Sequence, residues 1–128
     1  MANAEVTDVW MGSATERSRQ LSGSIPRDSL KKVFYGVRGT LGENEPIQKL
    51  VVGVMVDGQL TETFRIDITK KNAGQDNSFW FSYPEERKSA GEHSVQLGIG
   101  TTDDVDEKRR TVKKWTYGTT SPRTFTIT

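Results

Sequence analysis

The residue types that carry most hydrolytic and redox chemistry are scarce in this sequence. His93 is the only histidine, and there is no cysteine. A serine or cysteine nucleophile usually needs a histidine base held by a third group, and the sequence has no Gly-x-Ser-x-Gly turn. A zinc site needs several nitrogen or sulfur ligands, which one histidine cannot supply. We therefore predict no catalytic residue, and we expect His93 to pack its ring and bind a backbone carbonyl at the rim of the core.

Carboxylates are grouped in two places, Glu85–Glu86 and Asp103–Glu107. Glycoside hydrolysis uses two carboxylates across a cleft, one of them with a raised pKa, whereas both groups here have the composition of exposed loops. Oxygen-rich loops suit calcium, so Asp103, Asp104 and Asp106 are candidate calcium ligands, although the EF-hand spacing and its central glycine are missing. The alternative is a solvated, charged turn. No other metal and no cofactor is predicted.

The strongest basic cluster is Lys108–Trp115, which places lysines and arginines beside an aromatic residue. Such a cluster can hold a nucleic-acid strand by phosphate contacts and base stacking. The carboxylates of Asp103–Glu107 come directly before it, and the whole chain has 18 basic against 17 acidic residues. Because these charges cancel, we predict a salt-bridged hairpin arm and no nucleic-acid partner.

Exposed aromatic side chains are the more informative candidates for binding. In an alternating strand, Trp80 faces away from its two phenylalanine neighbours, and Trp115 shares a face with Tyr117. We predict that Trp80, Trp115 and Tyr117 contact a ligand or partner. Three interpretations stay open for them: packing under an arm or loop, anchoring a protein interface, or stacking on sugar rings.

Alternation with a period of two dominates the chain and predicts strands to position these residues. Lys49–Thr69 is predicted as a β-hairpin turning at Asp57-Gly58, a dipeptide that accepts positive φ. Further strands are predicted for Leu21–Ile25, Val33–Arg38, Ser78–Tyr83, Glu92–Gly100 and either Arg110–Tyr117 or Thr124–Thr128. The predicted core consists of Val33–Val37, Val52, Val54, Val56, Phe64, Ile66, Ile68, Phe79, Phe81, Val95, Leu97 and Ile99. Short strands with Gly-rich and Asn-rich turns predict an antiparallel β-sandwich of about seven strands.

The 128 residues are the size of one domain, predicted over 1–128 with an N-terminal arm within 1–20. The longest apolar run, Leu50–Val56, is far shorter than the roughly 20 residues of a membrane helix, so no membrane contact is predicted. Met1–Trp10 has neither a basic start nor an apolar stretch, so no secretory signal is predicted. Localisation stays open, with a virion or extracellular setting favoured.

Three motifs together resemble the immunoglobulin-like β-sandwich domains of bacterial and phage multidomain or virion proteins. They are the strand and Asp-Gly turn of Leu50–Gly58, the alternating aromatics of Asn77–Phe81, and the Gly-x-His-x-Val pattern within Ala90–Leu97. The resemblance covers about residues 21 to 104. Val105–Tyr117 departs from it, being longer and more charged than the usual turn before the last strand.

The resemblance implies a spacer, an adhesion module or a virion decoration, without a cofactor or a reaction. Together with the missing catalytic groups, it predicts a non-catalytic structural or interaction module within a larger assembly, bound to a protein partner or to itself. The alternative is a carbohydrate-binding module that stacks sugar rings on Trp80, Trp115 and Tyr117. Glycan is therefore kept as a second class of partner.

Overall fold

A computed structural model describes residues 3–13, 20–21, 23–41 and 47–128 of the chain. Eleven strands are present in these residues. They are β1 (Asn3–Gly12), β2 (Gln20–Leu21), β3 (Ser24–Ile25), β4 (Lys32–Thr40), β5 (Ile47–Val56), β6 (Gln59–Thr69), β7 (Asn77–Ser82), β8 (Gly91–Gly100), β9 (Val105–Asp106), β10 (Thr111–Val112) and β11 (Arg123–Ile127). Two short 3-10 turns occupy Arg27–Ser29 and Glu85–Arg87. No helix in this part of the chain is long and apolar enough to cross a membrane.

The strands form two facing sheets. One sheet has the order β2-β1-β4-β7 and the other the order β3-β11-β8-β5-β6, while β9 and β10 pair separately. Seven strands have five or more residues: β1, β4 and β7 belong to the first sheet, and β5, β6, β8 and β11 to the second, a division like that of immunoglobulin-type sandwiches. All pairings are antiparallel except that of β3 with β11. The predicted fold, an antiparallel immunoglobulin-like β-sandwich of about seven strands, is confirmed.

The predicted β5–β6 hairpin organises the second sheet. Asp57 and Gly58 form its turn, with φ angles of 53° and 81°. Leu50 pairs with Ile66 and Val52 with Phe64, so the apolar residues of both strands point to the same side. β8 pairs with the other edge of β5, where Val54 lies opposite Leu97. The central position of β5 explains its apolar residues on both faces.

The core lies between the sheets, as the alternation predicted. Every predicted core residue is buried except Phe64 and Phe79, which are half-buried and pack against the rest. Phe34 is a correction, because it is buried on the outer face of its sheet and not between the sheets. Aromatic rings fill the gap beside Tyr35, whose ring centroid lies 5.6 Å from that of Phe79 and 6.0 Å from that of Phe81. Buried area of this kind supplies the main stabilisation of a domain of this size.

The N-terminal region differs from its prediction. Instead of an arm over 1–20, residues Asn3–Gly12 form β1, which pairs along its whole length with β4. A bulge between Val6 and Asp8 shifts the alternation, so that Val6 and Val9 both turn inward. This shift of phase hid the strand from a search for strict alternation. Residues 1–2 and 14–19 of the predicted arm lie outside the described residues.

The C-terminal region settles which segment is the last strand. β11 at Arg123–Ile127 pairs with β8, whereas in the rival segment only Thr111–Val112 is a strand. The predicted strand Leu21–Ile25 is divided into β2 and β3, which belong to different sheets. The chain between β8 and β11 folds back over the outer face of the second sheet.

Candidate interaction surface

The outer face of the β2-β1-β4-β7 sheet carries a row of aromatic side chains. The strand register places Trp10 opposite Phe34 and Phe34 opposite Trp80. The rings of Trp10 and Phe34 are stacked, with centroids 5.5 Å apart and an interplanar angle of 16°. Phe34 is only 2% exposed although it lies outside the core cluster. We name Trp10, Phe34 and Trp80 the aromatic row.

Trp80 is the exposed end of the aromatic row. It is 53% exposed, which is more than Ile47, the other exposed large apolar residue among the described residues. The Nζ atom of Lys32 lies 3.3 Å from the centroid of the indole ring, a cation–π contact. One face of the Trp80 ring is therefore covered by a charge of this chain, while about half of the residue is exposed to solvent.

Trp80 lies on β7, which is an edge strand of its sheet. Tyr83 N donates to Lys31 O at 3.0 Å, so the pair 31–83 is a hydrogen-bonded pair of the β4–β7 ladder. Alternate residues of an antiparallel pair exchange these bonds, so the backbone N–H and C=O groups of Trp80 and Ser82 point away from β4. No described strand pairs with that side of β7. We name it the β7 edge.

The β7 edge lacks the charges that normally protect a sheet edge. Its six residues, Asn77–Ser82, include no charged residue and no proline. The long edge of the other sheet, β6, differs because it carries Glu62, Arg65 and Asp67, all exposed. Charged side chains discourage another strand from pairing, and β7 carries none.

Trp115 and Tyr117, the other two predicted contact residues, lie on the opposite sheet. Gly53 of β5 pairs with Gly98 of β8, and the indole of Trp115 lies flat on this glycine pair. A Cβ atom at position 98 would come within 2.7 Å of Trp115 Nε1. Tyr117 packs against the core, and its hydroxyl accepts a hydrogen bond of 2.8 Å from Gln48 Nε2. Both aromatics therefore anchor the chain between β8 and β11.

The three candidate calcium ligands do not come together as a metal site. Asp104 is buried, and its Oδ2 atom accepts hydrogen bonds from the backbone and hydroxyl of Thr116 and from the backbone of Thr101. Asp106 Oδ1 accepts from two backbone N–H groups of the next turn, and Asp103 is exposed. No group of three acidic or histidine side chains in the described ranges could hold a metal ion.

Asp104 instead fastens the returning chain. Burial alone would raise the pKa of Asp104, but the hydrogen bonds from Thr116 and Thr101 and the charge of Lys114 hold it below its usual value. A carboxylate that accepts several N–H and O–H bonds favours its ionised form. The turn therefore depends on an ionised aspartate, which the sequence pattern did not distinguish from its two acidic neighbours.

His93 has two acceptors for its two ring nitrogens. Nδ1 lies 2.7 Å from Asp57 Oδ2, and Nε2 lies 2.7 Å from the Ser89 carbonyl oxygen. The ring packs on Phe125 with centroids 6.1 Å apart. The predicted packing and carbonyl contact of His93 are confirmed, and Asp57 is an additional partner that joins the β5–β6 turn to β8.

The two acceptors also favour the protonated form of His93. Burial alone would lower its pKa, but the hydrogen bonds to Asp57 and Ser89 and the Asp57 charge outweigh that effect and raise it. With both nitrogens facing acceptors, the imidazolium is the form that satisfies every contact. The group holds a turn in place and has no neighbouring nucleophile among these contacts.

The basic cluster forms the predicted salt-bridged hairpin. β9 and β10 pair around the turn at 107–110. Glu107 Oε1 accepts a hydrogen bond of 3.3 Å from Nε of Arg65 on β6, and Asp106 Oδ2 lies 3.9 Å from Arg109 Nε. The carboxylates that precede the cluster thus neutralise part of it and attach it to β6.

No protein-family model and no curated protein matches the sequence. Among solved structures, the chain is similar to the CARDB domain of a protein from Pyrococcus furiosus, described in complex with di-metal ions. The TM-score is 0.56 at 11% sequence identity, and the similarity covers 99% of this chain and 92% of that chain. The fold is a β-sandwich. At this identity the likeness supports the architecture and no more.

The aromatic row is the feature that sequence reasoning found only in part. Trp80 was identified from its alternation, whereas Trp10 and Phe34 were not connected to it. Their alignment depends on the register of β1 with β4, and the bulge in β1 conceals that register. Lys32 gave no sequence signal either, because its contact with Trp80 crosses from β4 to β7.

Proposed function

We propose that this chain is a non-catalytic interaction module that binds a protein partner along the β7 edge, with Trp80 as the anchor. One observation carries the proposal: a tryptophan that is 53% exposed lies on an uncharged edge strand with no strand beside it in the described residues. Tryptophan is enriched among the residues that dominate binding energy. An open edge offers backbone hydrogen bonds to an added strand.

The contrast between the two long edges supports this assignment. β6 carries exposed charges at Glu62, Arg65 and Asp67, so pairing there would bury charge. On the β7 edge, a partner strand would meet outward backbone groups at Trp80 and Ser82. It would also extend an apolar row that is already packed at Trp10 and Phe34. The favoured setting, a virion or an extracellular multidomain protein, comes from the sequence resemblance and is part of the proposal.

The likeness to the CARDB domain agrees with a binding module but supplies no site. The di-metal ions described for that domain have no counterpart in this proposal, because the described residues contain no cluster of acidic or histidine ligands. The surface around Trp80 is the one we assign to binding.

Sugar stacking has less support from the geometry. Trp80 and Trp115 lie on the outer faces of different sheets, so they cannot form one platform. Lys32 covers one face of the Trp80 ring, and Tyr117 is engaged by Gln48. Carbohydrate binding is therefore an outcome of the test below and not a second proposal.

The test is site-specific photocrosslinking in the cells that naturally produce the chain. A photoreactive amino acid at position 80 should give one dominant protein adduct, and the same group at Arg65 on the β6 edge should not. Equal labelling from both positions, or none from position 80, would refute the proposal. A glycan array completes the test, because sugar binding that disappears in Trp80→Ala would assign the surface to carbohydrate instead.

A further inference from the structure

We infer that the partner strand at the β7 edge carries an aspartate or glutamate, which pairs with Lys32 beside Trp80. This inference rests on the proposed function and names the chemistry of its partner. β4 and β7, the two strands nearest the β7 edge, contain no acidic residue, and β4 contributes two cations, Lys32 and Arg38. Both cations share the outer face with Phe34, because they are separated from it by an even number of residues.

Arg38 is already neutralised by carboxylates of this chain. Its Nη2 atom lies 2.7 Å from Asp76 Oδ1, and the strand register places Glu5 of β1 opposite it. Beyond the other end of β7, Lys88 Nζ lies 2.7 Å from Glu85 Oε1. Paired charges of this kind attract a further charge only weakly, so they do not determine the partner.

Lys32 differs because its neighbours supply no negative charge. The register places it between Gly12 of β1 and Ser82 of β7. Within the part of the chain that the structure describes, no carboxylate forms an ion pair with Lys32. Its ammonium group has three N–H donors, and its contact is with the face of the Trp80 ring. Donors therefore remain for a carboxylate from outside the chain.

The position of the Lys32 charge makes it accessible from the β7 edge. Lys32 lies on β4, but its Nζ atom is 3.3 Å from the centroid of the Trp80 ring, which belongs to β7. A strand attached through the outward backbone groups of Trp80 and Ser82 would lie about 4.8 Å from β7. Side chains directly or diagonally opposite on one sheet face have Cβ atoms about 4.5–8 Å apart, so a carboxylate there can reach Nζ.

The added strand also determines which charge is tolerated. It would cover part of the Lys32 ammonium group and remove water from it, which is costly for a charge without a partner. A basic residue at the same place would add repulsion, and a neutral residue would leave the cost uncompensated. An acidic residue restores a charge-assisted hydrogen bond and is the complement that this surface favours.

The test is selection from a displayed library of random peptides on the purified chain. Peptides that are retained by the wild type and lost on Trp80→Ala define the site, and we expect them to be enriched in aspartate and glutamate. One such peptide is then synthesised and its affinity measured by calorimetry. Lys32→Gln should weaken binding by about fivefold, and Lys32→Arg should preserve it. Arg38→Gln is the matched control and should change little, because Asp76 and Glu5 already compensate Arg38.

A second peptide tests the pairing itself. With its acidic residue replaced by the corresponding amide, it should bind the wild type about fivefold more weakly, and Lys32→Gln should weaken it no further. Equal losses for the acidic peptide in Lys32→Gln and Arg38→Gln would overturn the inference, because a general attraction to positive charge would then explain the selection.

The outcomes separate this inference from the proposed function. Peptides that depend on Trp80 but show no acidic enrichment, or that bind Lys32→Gln as tightly as the wild type, overturn the inference and still support the interaction module. If no retained peptide depends on Trp80, the inference is overturned as well. The photocrosslink from position 80 then decides the proposed function independently.

Discussion

The Gly53–Gly98 pair under Trp115 gives a prediction that can be worked out atom by atom. In Gly98→Ala, the new Cβ atom would lie 2.7 Å from Trp115 Nε1 and closer still to Cε2 and Cδ2 of the same ring, whereas carbon atoms in ordinary contact are about 3.5–4.0 Å apart. The indole must therefore retreat by more than about 1 Å, and overpacking of this kind costs about 1–3 kcal/mol. The ring cannot retreat easily, because Asp104 fixes Thr116 beside it and Tyr117 N donates to Ile99 O.

Removing the ring should reverse the effect of the alanine. Truncation of a buried aromatic costs about 3–5 kcal/mol, and Trp115 is half-buried, so we expect about 2–3 kcal/mol for Trp115→Ala. Without the indole, Gly98→Ala meets no ring and should be neutral or stabilising by about 0.5–1 kcal/mol, because glycine weakens a strand relative to alanine. The double variant should therefore be no less stable than Trp115→Ala alone.

Urea unfolding of the four proteins, followed by far-ultraviolet circular dichroism, measures this cycle. We expect a coupling free energy of about 1–3 kcal/mol between positions 98 and 115, with the destabilisation by Gly98→Ala confined to the chain that retains the tryptophan. If Gly98→Ala destabilises both backgrounds equally, the indole does not lie on the glycine pair and the described packing of the returning chain is wrong.

Three other predictions concern single side chains. The pKa of His93 is raised above 6.5, so its contribution to stability is complete below about pH 6.5 and declines as the pH rises through the folded-state pKa. Urea unfolding at several pH values should show this decline in the wild type and not in His93→Gln. Asp104→Asn should destabilise by about 1.5–3 kcal/mol near neutral pH, measured in the same way, because the ionised Oδ2 accepts three hydrogen bonds. The pKa of Asp104 is lowered from 3.8, so the stabilisation by its ionised carboxylate is present above pH 3.8 and is lost as the pH falls through the depressed value. Unchanged stability of Asp104→Asn would contradict the account. Lys32→Ala should increase acrylamide quenching of Trp80 fluorescence, measured with Trp10 and Trp115 replaced by phenylalanine, and unchanged quenching would place the lysine elsewhere.

The fold was predictable because most strands repeat the same pattern without interruption. From Leu50 to Ile99, alternation of apolar residues identified strands, faces and core, since side chains in a strand point alternately to opposite sides. β1 was missed because its bulge at Val6 and Asp8 interrupts that pattern. The bulge depends on the partner strand, where Gly36 leaves room for the Thr7 side chain. Local composition does not indicate it.

The proposed interaction surface was predictable only for one residue at a time. Alternation identified Trp80 as outward-facing, but the same reasoning applied equally to Trp115, which the structure places on a glycine pair. The difference lies in what covers each ring, and that depends on contacts between residues far apart in sequence. Asp104 shows the same limit, because it differs from Asp103 and Asp106 only in being turned inward toward Thr101 and Thr116.

Backbone amide hydrogen exchange along β7 tests the assignment of the interaction surface most directly. The amides of Trp80 and Ser82 point away from β4, so in the dilute chain they should exchange rapidly. In the complex that the chain forms with the crosslinked protein, both amides should become strongly protected while the amides on the outer side of β6 keep their rates. Unchanged exchange at Trp80 and Ser82 in that complex would contradict the assignment.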